Sequence, residues 1–264
     1  MWFDSHCHLD FEAFDADRSE VLRRAREAGV GRVFIPGVTP SQWPGLPELC
    51  AQWSGLCFGL GVHPWHVHRT ETLEAELDAL PRRCREWGAV AVGETGLDAV
   101  AAKRGGASLE QQARAFDKQL VVARELGLPL VLHVVRAHAA ALEMLERHAP
   151  FPAGGVLHSY SGSAELLVRY LRLGLYVSFS GAVTHPASLR IRSAAAQVPE
   201  GRLLLETDAP DQPPVGFQSE AEPKRNEPRA LPLVAQALAE LRGSHPEALL
   251  DLASRNAARL YLGG

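Results

Sequence analysis

Short apolar runs recur along the chain, and amphipathic stretches separate them. Most of these runs are four to eight residues long, as expected for parallel strands that are buried on both faces. The runs predict eight strands, at residues 1–6, 32–36, 56–60, 89–92, 129–132, 155–157, 175–179 and 202–205.

The segments between the strands have the periodicity of amphipathic helices. In residues 108–126, for example, Phe116, Leu120 and Ala123 fall on one helical face. Glycine follows several of these segments, where it suits a helix C-cap, and proline begins the last two, where it suits a first turn. The predicted helices are residues 18–28, 108–126, 163–173, 187–198, 228–241 and 246–260.

Strand and helix alternate through the whole chain. Eight strands in such an alternation favour a closed (β/α)₈ barrel, or TIM barrel, over an open doubly wound sheet, which is the alternative architecture. No linker or repeat interrupts the pattern, so we expect residues 1–264 to form one barrel domain. Residues 99–107 and 211–228 are predicted to be loops after the fourth and eighth strands, and the first loop is expected to be mobile.

Composition narrows the classes of protein that the chain can belong to. Of its 264 residues, 46% are hydrophobic and 22% are charged, as in ordinary soluble globular proteins. The formal net charge is −4, so composition does not support tight non-specific binding to nucleic acid. No apolar run reaches the roughly 18 residues of a membrane span, so we expect no partnership with a membrane.

The four cysteines show neither C-x-x-C spacing nor a disulfide framework. The first residues lack the basic and apolar segments of a signal peptide. We therefore expect free thiols in a reducing compartment, and hence a cytoplasmic protein. Separately, we expect the protein to be a monomer.

His6 and His8 flank Cys7 at the end of the first predicted strand. Side chains two residues apart share a face of a strand, so both imidazoles can point into the mouth of a barrel while Cys7 points away. A His-x-His pair alone is weak evidence for a metal site, but its place at the end of a strand strengthens it.

Other strands also end in a histidine or a carboxylate: Glu94, His133, His158 and Asp208 end strands four, five, six and eight. Taken one at a time, each of these residues has a simpler explanation. A carboxylate could form a buried ion pair, and a histidine could be a hydrogen-bonded residue of the core. In a barrel, however, these strand ends converge on the face where active sites lie. The six side chains together form a mixed nitrogen and oxygen set that suits Zn²⁺, Mn²⁺ or a similar ion.

Six candidate ligands exceed the four that close a structural zinc site. A carboxylate that bridges two ions about 3.5–4 Å apart accounts for the surplus, so we expect two divalent ions, of Zn, Mn or Mg. Glu94 is the natural bridge. Some barrels with this ligand pattern use a modified lysine on strand four, and no lysine stands there.

Polar segments follow the strands in a set order, at residues 4–8 (DSHCH), 61–64 (GVHP), 93–98 (GETGLD), 133 (H), 158–162 (HSYSG) and 206–210 (ETDAP). Together they resemble the TatD family of metal-dependent hydrolases. Residues 216–218 (GFQ) and 226–228 (NEP) resemble its YjjV-like branch. The resemblance implies a TIM barrel of the metallo-dependent hydrolase type. One ion would be held by His6, His8, Glu94 and Asp208, and the other by Glu94, His133 and His158.

The chain departs from the family pattern beside two ligands. Relatives usually carry Ile where Thr95 stands, and many carry Arg where Val135 stands. Arg136 is then the candidate to contact a substrate phosphate from the start of the following helix. His63 is expected to bind substrate or to support a ligand, and Glu206 to hold a neighbouring group. His66 and His68 are expected to be solvated.

The leading functional hypothesis is a hydrolase of phosphoester bonds, such as a deoxyribonuclease, that uses a metal-activated water. Asp208 is the expected base and Glu94 supports the reaction as the bridge. DNA as a substrate rests on the resemblance alone. The alternatives are a metal-dependent amide or ester hydrolase of a small molecule, and a metal-binding protein without activity.

Overall fold

In the computed structural model, residues 1–69, 71–219 and 225–263 are described. Eight parallel strands pair with one another in chain order, from β1 beside β2 to β7 beside β8. Their bounds are β1 (Trp2–Asp4), β2 (Val30–Pro36), β3 (Leu56–Leu60), β4 (Ala91–Asp98), β5 (Leu130–Val135), β6 (Gly155–Leu157), β7 (Tyr176–Phe179) and β8 (Leu203–Leu205).

Hydrogen bonds also join the first strand to the last, along a line that we call the seam. The Ser5 N–H donates to the Leu205 carbonyl at 3.1 Å, and the Thr207 N–H donates to Asp4 Oδ1 at 3.0 Å. An open doubly wound sheet reverses its strand order at a switch point, which this sheet does not do. The prediction of a (β/α)₈ barrel is therefore confirmed.

Helices connect the strands and cover the outside of the barrel. Their bounds are α1 (Arg18–Glu27), α2 (Gly45–Gln52), α3 (Leu73–Trp87), α4 (Ala99–Lys103), α5 (Leu109–Leu126), α6 (His138–His148), α7 (Ala164–Arg172), α8 (Leu189–Gln197), α9 (Leu231–Arg242) and α10 (Pro246–Leu262). The Ser108 side chain caps α5 by accepting from Gln111 N–H, and α5 buries Phe116 and Leu120. No helix among the described residues is long and apolar enough to cross a membrane.

The prediction that residues 99–107 form a loop after β4 is wrong in its first half. Residues 99–103 form the short helix α4 rather than a loop, because Asp98 Oδ1 accepts the N–H groups of Val100 and Ala101 at 2.7 and 2.9 Å. The predicted loop at residues 211–228 lies partly outside the described residues.

The N-terminal end of the barrel is filled with apolar side chains. Seven strands contribute one buried residue each to this cluster, and α10 adds Leu260 and Tyr261. The Tyr261 ring stacks on Phe34, with 4.1 Å between centroids, and its hydroxyl donates to the Ser5 carbonyl at 3.1 Å. This packing closes one end of the barrel and leaves the C-terminal end for a polar site.

Candidate metal centre

Glu94 lies at the middle of a cluster of histidines at the C-terminal end of the barrel. Its Oε2 is 3.3 Å from His6 Nε2 and 3.7 Å from His8 Nε2. Its Oε1 is 3.0 Å from His133 Nδ1 and 2.8 Å from His158 Nε2. The two oxygens of one carboxylate therefore face two different groups of histidines.

Asp208 completes the group on the Oε2 side. Its Oδ1 is 3.7 Å from His6 Nε2 and 3.6 Å from His8 Nε2. We call His6, His8, Glu94 and Asp208 the first donor set, and Glu94, His133 and His158 the second donor set. All six side chains predicted as ligands are thus brought together.

The backbone around Glu94 differs from the prediction. β4 does not end before Glu94 but continues to Asp98, with an irregular register between Val92 and Thr95. Gly93 has a φ of 122°, and a Cβ there would lie 2.4 Å from the Val131 carbonyl oxygen. Only glycine fits this approach of β4 to β5, and the glycine also interrupts the apolar pattern from which the strand was predicted.

The other predicted ligands stand at or near strand ends. His133 lies within β5, which continues to Val135. Asp208 follows β8 with a φ of 55°, a left-handed conformation that residues other than glycine rarely adopt. Its N–H donates to the His6 carbonyl at 3.0 Å across the seam. The strained conformation is thus held by the barrel itself, as is common at functional sites.

Unpaired buried nitrogen atoms show that the cluster suits a metal ion. Among the described residues, neither ring nitrogen of His6 has a hydrogen-bond partner, although both are buried. A buried polar atom without a partner costs about 1–3 kcal/mol, and a cation bound there would remove this penalty. Ligand atoms of His6, His8 and Glu94 all lie within 4.8 Å of one another, as do those of His63, Glu94 and His133. The His and Glu side chains of the cluster can therefore bind metal.

His63 and His133 both contact Glu94 Oε1, but their tautomers differ. His133 Nε2 lies 3.3 Å from Asp98 Oδ2, an acceptor, and so carries a proton, which leaves Nδ1 as the nitrogen that can offer a lone pair to a metal. His63 Nδ1 instead accepts the Trp65 N–H at 3.1 Å, which places the proton on Nε2, 3.3 Å from Glu94 Oε1. His63 therefore presents a hydrogen-bond donor to the cluster even when it is neutral, whereas the neutral form of His133 presents a lone pair.

Charge coupling across the cluster shifts several pKa values. Burial raises the pKa of Asp208, but the hydrogen bond from His8 and the nearby imidazolium charges outweigh it and lower the pKa to about 2. Burial likewise opposes the charged form of Glu94, yet the surrounding histidines lower its pKa well below the usual value. The pKa values of His8, His133 and His158 are raised despite burial, because carboxylates face them.

His6 and His63 differ from these three histidines, because burial and a neighbouring imidazolium lower their pKa values. Burial and the charge of His133 lower the pKa of His63 to about 3. A neutral imidazole at this position agrees with the tautomer that the Trp65 N–H imposes.

A cavity of about 120 Å³ opens onto the two donor sets. It is lined by His8, Phe11, Val38, His63, Trp65, His66, Glu94, His133, His158, Asp208 and Asp211. His66 was expected to be solvated, but it is half-buried and lines this cavity. None of the described lining residues is Lys or Arg. Arg136, the predicted phosphate contact, is exposed, has a φ of 52° and is not among them.

The sequence analysis missed Gln212. Its Nε2 donates to Asp208 Oδ2 and, at 2.7 Å, to Ser159 Oγ, while its Oε1 accepts from Ser180 Oγ at 2.7 Å. A single Gln in a Pro-rich stretch gives no sequence signal for such a contact. Asp98, which orients His133, was also missed, although it ends β4 in the way that pointed to the other ligands.

Glu206 holds neighbouring groups, as predicted. Its Oε2 accepts from Ser178 Oγ at 2.6 Å, and its Oε1 accepts from the Ser159 N–H at 2.5 Å. The same Oε1 lies 3.6 Å from His158 Nδ1. Polar groups from β7, from the loop after β6 and from the segment after β8 thus surround the candidate ligand His158.

Comparison with known proteins gives consistent matches over the whole chain. The family described as TatD related DNase matches residues 3–262. The chain is 34% identical over 262 residues to "Uncharacterized metal-dependent hydrolase YjjV" of Escherichia coli (strain K12), covering 98% of this chain and 97% of that protein. It is 36% identical over 261 residues to "3'-5' ssDNA/RNA exonuclease TatD" of Pantoea vagans (strain C9-1), covering 98% of each.

A solved structure supports the same relationship. The crystal structure of YjjV, a TatD homolog from Escherichia coli, superimposes with a TM-score of 0.89 at 33% identity. The match covers 99% of this chain and 98% of that chain. Sequence and fold thus point to the same group of proteins.

Proposed function

The chain belongs to the TatD related DNase family, and from this membership and the geometry of the cluster we propose that it is a divalent-metal-dependent, nuclease-type hydrolase of phosphoester bonds. One observation carries the proposal. The two oxygens of Glu94 face two separate donor sets, as a carboxylate that bridges two ions would do.

The proposal assigns one ion to the first donor set and a second ion to the second donor set. The six side chains offer nitrogen and oxygen atoms, a combination that suits Zn²⁺ and Mn²⁺, and Mg²⁺ is a further candidate. Ions bound there lower the pKa of water towards about 7 and offset the negative charge of a phosphoester. The protein then has no need of a covalent nucleophile.

The side chains around the ions have distinct tasks in this proposal. Asp208 accepts the proton of the attacking water, since its low pKa keeps it ionised and Gln212 fixes its Oδ2. His63 donates from Nε2 to an oxygen of the substrate or of Glu94. Asp98 and Glu206 orient His133 and His158.

A second candidate function follows from the absence of Lys and Arg among the described lining residues of the cavity. A site without cationic side chains also accepts neutral substrates, so a metal-dependent amide or ester hydrolase of a small molecule is the alternative. Substrate tests separate the two.

A screen of metal-reconstituted protein tests the proposal. The substrates are single-stranded DNA and RNA, dinucleotides, bis-p-nitrophenyl phosphate and simple amides and esters. We expect cleavage of phosphoesters with Mg²⁺, Mn²⁺ or Zn²⁺, with removal of nucleotides from the 3′ end of strands. Cleavage of amides or carboxylic esters alone would replace the proposal by the alternative. Chelated protein and an Asp208→Asn preparation control for contaminating nucleases.

Metal binding near pH 7 is expected to release protons. In the metal-free protein, carboxylates raise the pKa of His8 and His133 and raise that of His158 well above its usual value, so at least His158 holds a proton that a metal must displace. Affinity should therefore fall as the pH drops through these raised pKa values. Titration calorimetry in two buffers of different ionisation enthalpy should show release of at least about one proton per chain. Equal heats in both buffers would contradict the expectation.

Two histidines that face the same oxygen of Glu94 are expected to differ in metal binding. Loss of a group that only supports a metal ligand weakens metal binding by up to roughly 100-fold, and loss of a ligand itself should cost more. His133→Gln should therefore weaken metal binding by more than roughly 100-fold. His63→Gln should keep the metal content, because the His63 nitrogen that faces Glu94 carries a proton. Elemental analysis after dialysis measures both. Equal loss of metal in the two variants would show that His63 is a ligand.

A further inference from the structure

One aromatic side chain at the cavity has no task in the reaction proposed above. Trp65 stands in the loop after β3, two residues after His63. Of the large apolar side chains that the described part of the chain exposes, Trp65 alone lines the cavity, and 52% of its surface is exposed. Its ring is therefore accessible to a molecule that enters the cavity.

The Trp65 indole is anchored to polar groups of the site. Its Nε1–H donates to Asp98 Oδ2 at 2.6 Å, and the other oxygen of Asp98 caps α4. Its backbone N–H donates to His63 Nδ1 at 3.1 Å. A ring that is fixed before a ligand arrives loses little conformational entropy on binding, so it is well suited to recognition.

The surroundings of the indole indicate the chemistry of its ligand. Its centroid lies 5.1 Å from that of His63 and 6.2 Å from that of His133, and both histidines face Glu94. A phosphoryl group held near Glu94 would therefore place the adjoining part of the substrate beside the indole. A second ring, Phe11, lines the same cavity and stacks on His8 with 4.5 Å between centroids.

We propose that Trp65 forms a nucleobase subsite, on which the base next to the scissile phosphoester stacks; the proposal rests on the proposed function. Aromatic side chains bind the bases of single strands in this way, and they tolerate any sequence because every base has a π-face. Without Lys or Arg among the described lining residues, stacking supplies affinity that ionic contacts to phosphates supply elsewhere.

Equilibrium binding to the Mn²⁺-loaded protein tests the subsite, with adenosine 5′-monophosphate and inorganic phosphate as probes. We expect the wild-type protein to bind the nucleotide roughly 5- to 150-fold more tightly than phosphate, the range that one stacked base provides. Trp65→Leu should abolish this difference while phosphate affinity and metal content stay the same. Trp65→Phe should keep part of it, since it retains an aromatic face. Bound nucleotide should quench tryptophan fluorescence in the wild-type protein but not in Trp65→Phe.

Trp53→Leu is the matched control, because the Trp53 ring lies against Arg26 and does not line the cavity. This variant should keep the preference for nucleotide. Equal affinity of the wild-type protein for both probes would overturn the subsite and leave phosphoester hydrolysis intact. Parallel loss of both probes or of metal in Trp65→Leu would also overturn it, by showing a structural role. If neither probe binds and no phosphoester is cleaved, the proposed function fails together with the subsite.

Discussion

Asp208→Asn is expected to lower kcat by about 10²- to 10⁴-fold, the range in which a positioned base contributes to a reaction. The substitution keeps the size of the side chain but removes its ability to take up a proton. The carboxylate has a pKa of about 2 and is therefore ionised wherever the enzyme works. Rates should be measured with bis-p-nitrophenyl phosphate at saturating metal, so that weaker metal binding does not imitate the loss of the base.

The matched control is Asp117→Asn. Asp117 also pairs with a histidine, His148, at 2.8 Å, but the pair does not line the cavity. This variant should keep nearly full activity. If Asp208→Asn keeps more than roughly a tenth of the wild-type kcat at saturating metal, Asp208 is not the base.

Glu94→Gln is expected to abolish activity and to affect both of the proposed metal ions at once. Gln has almost the same shape, but it lacks the charge and the second acceptor oxygen through which Glu94 faces both donor sets. Metal content after dialysis should fall below about one ion per chain, against the one to two expected of the wild-type protein. Added Mn²⁺ should no longer raise the Tm, since stabilisation by a ligand requires that the folded state binds it.

Glu227→Gln provides a comparison at a second buried carboxylate. Glu227 pairs with Arg24 at 2.8 Å and with Arg229 at 3.2 Å, and it is not among the described residues that line the cavity. Loss of its charge should lower the free energy of unfolding and leave the metal content unchanged. If Glu94→Gln retained the metal content and the metal-dependent rise in Tm of the wild-type protein, Glu94 would not be the bridge.

The positions of the six candidate ligands could be predicted because two simple rules apply to them. Buried parallel strands appear as apolar runs, and the C-terminal ends of barrel strands meet on one face. Any histidine or carboxylate that follows such a run is therefore placed at the mouth. His6, Glu94 and Asp208 are far apart in sequence, yet this reasoning brings them together, and the structure agrees.

Contacts made by loops could not be predicted in this way. Gln212 reaches Asp208 because the loop after β8 takes a left-handed turn, with a φ of 50° at Gln212, and no periodicity encodes that path. Arg136 does not line the cavity for a related reason, since its own φ of 52° redirects the chain as β5 ends, and its contact with a phosphate stays a prediction. The extent of β4 was underestimated because Gly93 interrupts an apolar pattern without ending the strand.

The seam of the barrel determines when the enzyme becomes active during synthesis. Asp4 and Thr207 bond across it from positions 203 residues apart, so this contact closes one of the longest loops that the chain can form. The first donor set takes His6 and His8 from one side of the seam and Asp208 from the other. A nascent chain without β8 therefore lacks Asp208 and has no complete first donor set. We therefore expect hydrolysis to begin only after the last strand has left the ribosome and docked, so that translation itself would delay the appearance of activity.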